Sequence, residues 1–207
     1  NDHNYIKKLE QKHIPVVFFD RVYEDVDVSK VTTNDYESSF EATEHLIAQG
    51  CRRIAYLVVN KNISIGKMRG QGYMDALAKH HLPFEDQLVI DCSQHEKENY
   101  TIIKNALKKT KPDGIFSSVE RLALATYHVC NDMKIDVPKH LKIISFSSLH
   151  IASLLCPALS TVTQPAYEMG IKAAELLFEE LENKTSLNKK HVVLKSKLFI
   201  RKSSSGI

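Results

Sequence analysis

Six places in this 207-residue sequence put small polar or acidic side chains directly after a run of β-branched, aliphatic or aromatic residues. They are Asp20, Asn34 with Asp35, Asn60, Asp91 with Cys92, Ser118 to Glu120, and Ser147 with Ser148. Gathered at one edge of a sheet, such side chains hydrogen-bond hydroxyl-rich compounds, and in open parallel sheets ligands lie beyond the carboxyl ends of the strands. The same residue types also end strands as turn formers and helix caps. Spacing leaves both readings open.

Catalytic chemistry finds no recognisable signature. There is no G-x-S-x-G elbow, Walker loop, H-E-x-x-H or G-x-G-x-x-G, and Gly70-x-Gly72 is too short for a dinucleotide loop. His80-His81 reads as a solvated pair at a helix end, where imidazole suits the dipole. His128 and Cys130 are two apart on an expected helix and point different ways, a poor metal pair. Glu85, Asp86, Asp91 and Glu96 lie in or near loops, and nothing pairs them for glycoside hydrolysis. The four cysteines, Cys51, Cys92, Cys130 and Cys156, never form Cys-x-x-Cys and read as reduced thiols, mostly buried. No catalytic residue, metal ligand or cofactor is expected.

Composition narrows the class. With 43% hydrophobic and 26% charged residues the chain has the balance of a folded soluble domain, long enough for one large domain or two lobes. No apolar run approaches the roughly 20 residues of a membrane helix. The opening Asn1-Asp2-His3-Asn4 has no basic or apolar region of a secretory signal, so a cytoplasmic setting is expected. The net charge of +3 comes from scattered Lys and Arg, whereas a DNA-gripping surface concentrates them. The low-complexity patch Ser203-Ser204-Ser205 closes the chain.

Placing the strand-end residues side by side requires alternating strands and helices. Ile14 to Phe19, Val31-Thr32, Ile54 to Val59, Leu88 to Ile90, Gly114 to Ser117 and Leu141 to Phe146 read as strands. Helical patterns lie between them: Phe40, Thr43, Leu46 and Ile47; Tyr73, Ala76 and Leu77; Tyr100, Ile103 and Leu107; Leu122, Thr126, Val129 and Met133. Asn34 offers an N-cap with Glu37 at the capping-box position, and Gly50 a C-terminal stop. Strands apolar on both faces and separated by helices predict parallel sheets flanked by helices, an α/β fold. Thr161 to Pro165 reads as extended. A helix with the stripe Tyr167, Gly170, Ala174, Leu177 and Leu181 follows, then a polar loop from Asn183 to Lys190 and one closing strand from Val192 to Ile200. This late helix–strand return suggests a chain that crosses between two lobes.

Seven blocks, ordered between residues 5 and 204, resemble the LacI/GalR transcription regulators. They are Ile14 to Arg21, Ala42 to Ala55, Arg69-Gly70-Gln71-Gly72-Tyr73, Pro112 to Phe116, Pro157 to Pro165, Met169-Gly170 with Ala173 to Leu177, and Leu198 to Ser203. The resemblance implies a type I periplasmic-binding fold with two Rossmann-like lobes. Residues 1–50 and 163–189 would form the lobe nearer DNA, and 51–162 with 190–207 the distal lobe. It implies a small effector, a sugar or sugar derivative, in the interlobe cleft, a homodimer along the lobes, and operator DNA held through a helix-turn-helix headpiece. Set against the family pattern, the chain starts at the helix before the third strand. It therefore reads as a fragment lacking headpiece, hinge and the first part of the proximal lobe, whose sheet would show an exposed edge.

The same resemblance assigns residues. Arg69 matches the effector-binding arginine of R-x-x-G-Y, its fork suited to sugar hydroxyls or a carboxylate. Asp20 matches an acidic cleft position. Other effector positions depart from the pattern: Ser147 stands where an aspartate grips effector, Val119 at the polar position before Glu120, and Gln94 where an aromatic platform is usual. The family Asp-Asn reads Asn34-Asp35. These departures imply a pocket retuned for another ligand, or one left vestigial beside a protein partner. Leu124 and Leu155 fall where the family buries apolar side chains between subunits. A solute-binding receptor of a sugar transport system shares the fold and would need a secretory signal upstream. An α/β enzyme would need a nucleophile and base paired in a pocket.

Overall fold

The computed structural model describes residues 4–12, 14–23, 25–183 and 189–205. Its elements run α1 (Asn4–Gln11), β1 (Val17–Phe19), β2 (Ser29–Thr33), α2 (Asp35–Ala48), β3 (Ile54–Val58), α3 (Ser64–Lys79), β4 (Val89–Asp91) and α4 (Glu96–Thr110). There follow β5 (Gly114–Ser117), α5 (Glu120–Met133), β6 (Lys142–Phe146), β7 (Ser160–Thr163), α6 (Ala166–Asn183), β8 (His191–Leu194) and β9 (Lys197–Phe199). They form two compact units, Asn1–Asn34 with Pro165–Lys195 and Asp35–Gln164 with Ser196–Ile207.

The smaller unit is a three-stranded parallel sheet, β1-β2-β8, with Val17 opposite Ser29 and Thr33 opposite Leu194. Helix α6 packs on it, Met169 and Leu176 against Val31, flanked by Val17, Ala173, Val192 and Leu194. Farther along the same helix, the Ser29 hydroxyl donates to Glu180 Oε1 at 2.6 Å. The stripe legible in the sequence is not the packed face: Tyr167 is 80% and Leu181 49% exposed. Apolar side chains of α6 follow helical spacing along two stripes, and the sheet takes the one that carries Met169 and Leu176. Of the expected loop 183–190, residues 184–188 lie outside the described residues.

The larger unit is a six-stranded sheet, β4-β3-β5-β6-β7-β9, parallel except where β9 runs antiparallel to β7. Every residue of β3 and β5 is buried, because both faces are covered. Ile54, Tyr56, Val58 and Phe116 pack under α2 and α3 with Leu46, Tyr73 and Leu77. Ala55, Leu57 and Ile115 point the other way, to Ile103, Leu107, Leu122 and Val129 of α4 and α5. Helices α2 and α3 approach closely at Gly72, where an added Cβ would meet the Tyr36 carbonyl oxygen.

One expectation changes. The single strand Val192–Ile200 is two strands in different sheets: β8 pairs with β2, and β9 with β7. Only Lys195 and Ser196 lie between these two strands. The compact units divide after Asn34, Gln164 and Lys195, and α2 packs along α3 and β3 of the larger unit. The closing serines are structural. Ser203 and Ser204 are fully buried, and Ser203 Oγ donates to the Ile143 carbonyl at 2.6 Å while its amide donates to the Ala158 carbonyl at 2.9 Å.

Candidate binding site

At the carboxyl ends of the larger sheet stand Asn60 after β3, Cys92 to Gln94 after β4, Ser118 to Glu120 after β5 and Ser147 after β6. Arg69 reaches this region from α3 and is only 4% exposed. Its Nε donates to Asp35 Oδ1 at 2.7 Å and its Nη1 to the Ser118 carbonyl at 2.6 Å. The guanidinium carbon lies 3.5 Å from the centre of the Phe146 ring, a cation–π seat. Ser39 Oγ on α2 donates to the Arg69 carbonyl, so α2, α3, β5 and β6 all hold one side chain. The Nη2 amines meet no protein acceptor among the described residues. Part of the guanidinium fork therefore carries no hydrogen bond to the protein.

Aromatic rings stack beneath it. Tyr56 lies between Tyr73 and Phe116, centroids at 5.4 and 5.3 Å, and Phe116 leans on Phe146 at 5.9 Å. Among the described residues the buried Tyr56 hydroxyl and Ser117 Oγ have no hydrogen-bond partner. Burial pushes the Tyr56 phenol well above its usual value; Arg69 lowers it and Asp35 raises it by smaller amounts. Tyr56 therefore stays neutral. The thiols of Cys51, Cys92 and Cys130 are pushed up by burial to about 12, 12 and 11, so they are poor nucleophiles. Cys156 is exposed. Among the described residues no group of three His, Cys, Asp or Glu side chains is arranged to hold a metal ion.

The remaining expected residues divide. Ser147 is buried; its Oγ accepts from the Leu149 amide at 3.1 Å and its carbonyl from Thr163 Oγ1 at 2.9 Å, so this hydroxyl serves its own turn. Val119 precedes α5 and packs against the α4–α5 core. Glu120 opens α5, where a carboxylate suits the helix dipole. Gln94 is exposed, and its carbonyl accepts from Arg121 Nη1 at 3.2 Å. Asp20 belongs to the smaller unit at the end of β1, in a left-handed conformation (φ 61°), its amide donating to the Val31 carbonyl. Leu124 is 36% exposed, whereas Leu155 packs against the α4–α5 core. The sequence reading missed Asp35 as the partner of Arg69 and Phe146 as its seat.

Fold and site together define a periplasmic binding protein-like domain. Residues 43–204 match that family, and the chain belongs to it. The ribose operon repressor of Halalkalibacterium halodurans is 29% identical over 202 residues, which cover 97% of this chain and 59% of the repressor. The chain thus spans about three-fifths of the length of the curated relatives it matches. A regulatory protein of the LacI family from Chloroflexus aggregans is 28% identical with a TM-score of 0.86, covering 97% of this chain and 72% of that one. A LacI family regulator from Enterococcus faecium with bound ribose superposes with a TM-score of 0.90 at 22% identity, covering all of this chain and 77% of the other. The relatives are LacI-family repressors, as the motif blocks implied.

Proposed function

We propose that this chain is the ligand-sensing and dimerisation part of a LacI-type transcription regulator, and that its effector is a sugar or sugar derivative. The observation that carries the reading is Arg69, buried and braced by Asp35, Ser118 and Phe146 with part of its fork unused, at the carboxyl ends of a parallel sheet. The ribose repressor and the ribose-bound regulator among its relatives support the ligand class. Effector binding would shift the regulator between two states only by its differential affinity for them, and operator DNA would be held by another part of the full regulator. Ser147 and Val119 offer the ligand little, so contacts beyond Arg69 on the larger unit fall to Gln94 and Glu120. The partner in the dimer is a second copy, to which Leu124, Ile151 and Leu154 (36%, 52% and 80% exposed) offer apolar side chains. No helix is long and apolar enough to cross a membrane among the described residues; a cytoplasmic, non-enzymatic role is part of the proposal.

A thermal-shift screen against pentoses, hexoses, sugar phosphates and sugar acids tests this. A ligand that binds only the folded state adds about 2.7 kcal/mol at a hundredfold excess over Kd. One sugar class should raise Tm, and by less in Gln94→Ala, whose exposed side chain holds no structure. A flat screen with a folded protein would remove the sugar-sensing reading.

A further inference from the structure

A cavity lies at the end of the larger sheet opposite Arg69. Helix α4 ends with Lys111 in a left-handed conformation (φ 45°), and Pro112 leads into β5; α5 ends with Lys134 likewise left-handed (φ 55°), and the chain returns through Ile135. Between these two helix ends and the lead-in to β6 remains a cavity of about 410 Å³. Its walls are Leu107, Pro112, Met133, Ile135 and Leu141. The local backbone is already satisfied, with Lys111 N donating to the Leu107 carbonyl and Ile135 N to the Cys130 carbonyl. Apolar side chains with no filling partner therefore face the space, which is within the roughly 300–1,000 Å³ of small-molecule pockets.

The rim has the opposite character. Lys108, Lys111 and His140 border the cavity. Neither lysine ammonium has an ion-pair partner among the described residues, and His140 Nδ1 lies 3.4 Å from Asp136 Oδ2. Complementing the α4 dipole accounts for a lysine in its last turn. It does not account for His140, which comes from the segment before β6 and meets the lysines around the same apolar hollow.

We propose that this cavity is a second ligand site, selective for small apolar carboxylates: a ring or branched chain enters between Met133, Ile135 and Leu107, and the carboxylate meets Lys108, Lys111 and His140. The four residues of β5 separate it by roughly 13 Å from the Arg69 region, so it is independent of the sugar-sensing reading and adds an input on the other side of the same sheet.

The test is a titration of the chain with 4-phenylbutyrate and with neutral 4-phenylbutan-1-ol, followed through the methyl signals of Met133 and Ile135. The carboxylate should shift both signals saturably, and the alcohol should bind about tenfold more weakly. The variant Lys108→Glu with Lys111→Glu changes exposed side chains only, and should keep its fold by circular dichroism while losing about tenfold in carboxylate affinity. Signals that do not saturate, an alcohol that binds equally well, or a charge-reversed variant with unchanged affinity would each overturn the proposal. A saturating carboxylate alongside a flat sugar screen would leave this site standing and remove only the sugar-sensing reading.

Discussion

Deleting the Arg69 guanidinium would strand the Asp35 carboxylate in a site where the two side chains are 5% and 7% exposed. Breaking a buried pair by removing one member costs about 3–5 kcal/mol, because the survivor keeps its desolvation penalty. Arg69→Ala should therefore lower the urea-unfolding free energy by that amount. Arg69→Met combined with Asp35→Asn should recover most of it, since no buried charge is left alone. A single substitution costing under about 1 kcal/mol would show that water reaches the pair. The residue types of the R-x-x-G-Y block made Arg69 legible, but its partner is 34 positions away and looked like part of a helix start. Ser147 shows the converse. Its place after a strand was legible, while the local use of its hydroxyl by the Leu149 amide depends on a turn that spacing does not reveal.

Between elements, α2 and α3 meet at a glycine. Gly72→Ala would drive a methyl into the Tyr36 carbonyl, backbone that cannot swing aside, and overpacking of this kind costs about 1–3 kcal/mol. Gly170 in α6 is the contrast: a Cβ there meets nothing within 4 Å, and Gly170→Ala should stabilise by about 0.4–1 kcal/mol through the unfolded chain. Urea midpoints moving in opposite directions would confirm both environments; equal shifts would contradict the close helix approach. Period-3.6 patterns were enough to find these helices; that Leu46 of α2 meets Tyr73 and Leu77 of α3 in one core is seen only in the structure. On α6 they failed to choose a face, because two stripes satisfy the same period and only the β2 register brings Val31 under Met169 and Leu176.

Across the whole molecule, His45 on α2 contacts Ser204 at 2.8 Å, tying residues 159 apart. Burial holds the His45 imidazole below its usual 6.5, partly offset by the hydrogen bond with Ser204. As pH falls, the unfolded chain takes up this proton before the folded one, so stability rises with pH through the window. The contribution is complete above about pH 6.5 and is lost progressively below it, towards the lower folded-state value. The urea midpoint should drop between pH 7 and 5.5, and drop less in His45→Gln. An equal slope in both proteins would assign the effect elsewhere. Glu44, held low by Lys79 and His80, loses its share only below about 4.5, outside that window.

The sequence by itself determined the α/β class, most strand and helix positions, the absence of familiar catalytic signatures and the LacI-type relationship. All of these follow from short-range patterns: alternation, helical period, caps and ordered motif blocks. Only the tertiary structure decided that residues 191–194 and 197–199 serve different sheets, that Ser203 and Ser204 are core rather than a loose tail, and that Arg69 is held by Asp35 and Phe146. Each of these is a pairing between distant segments. Backbone hydrogen bonding and desolvation choose such partners only once the sheets exist, since a lone strand or serine carries no mark of the edge it will meet.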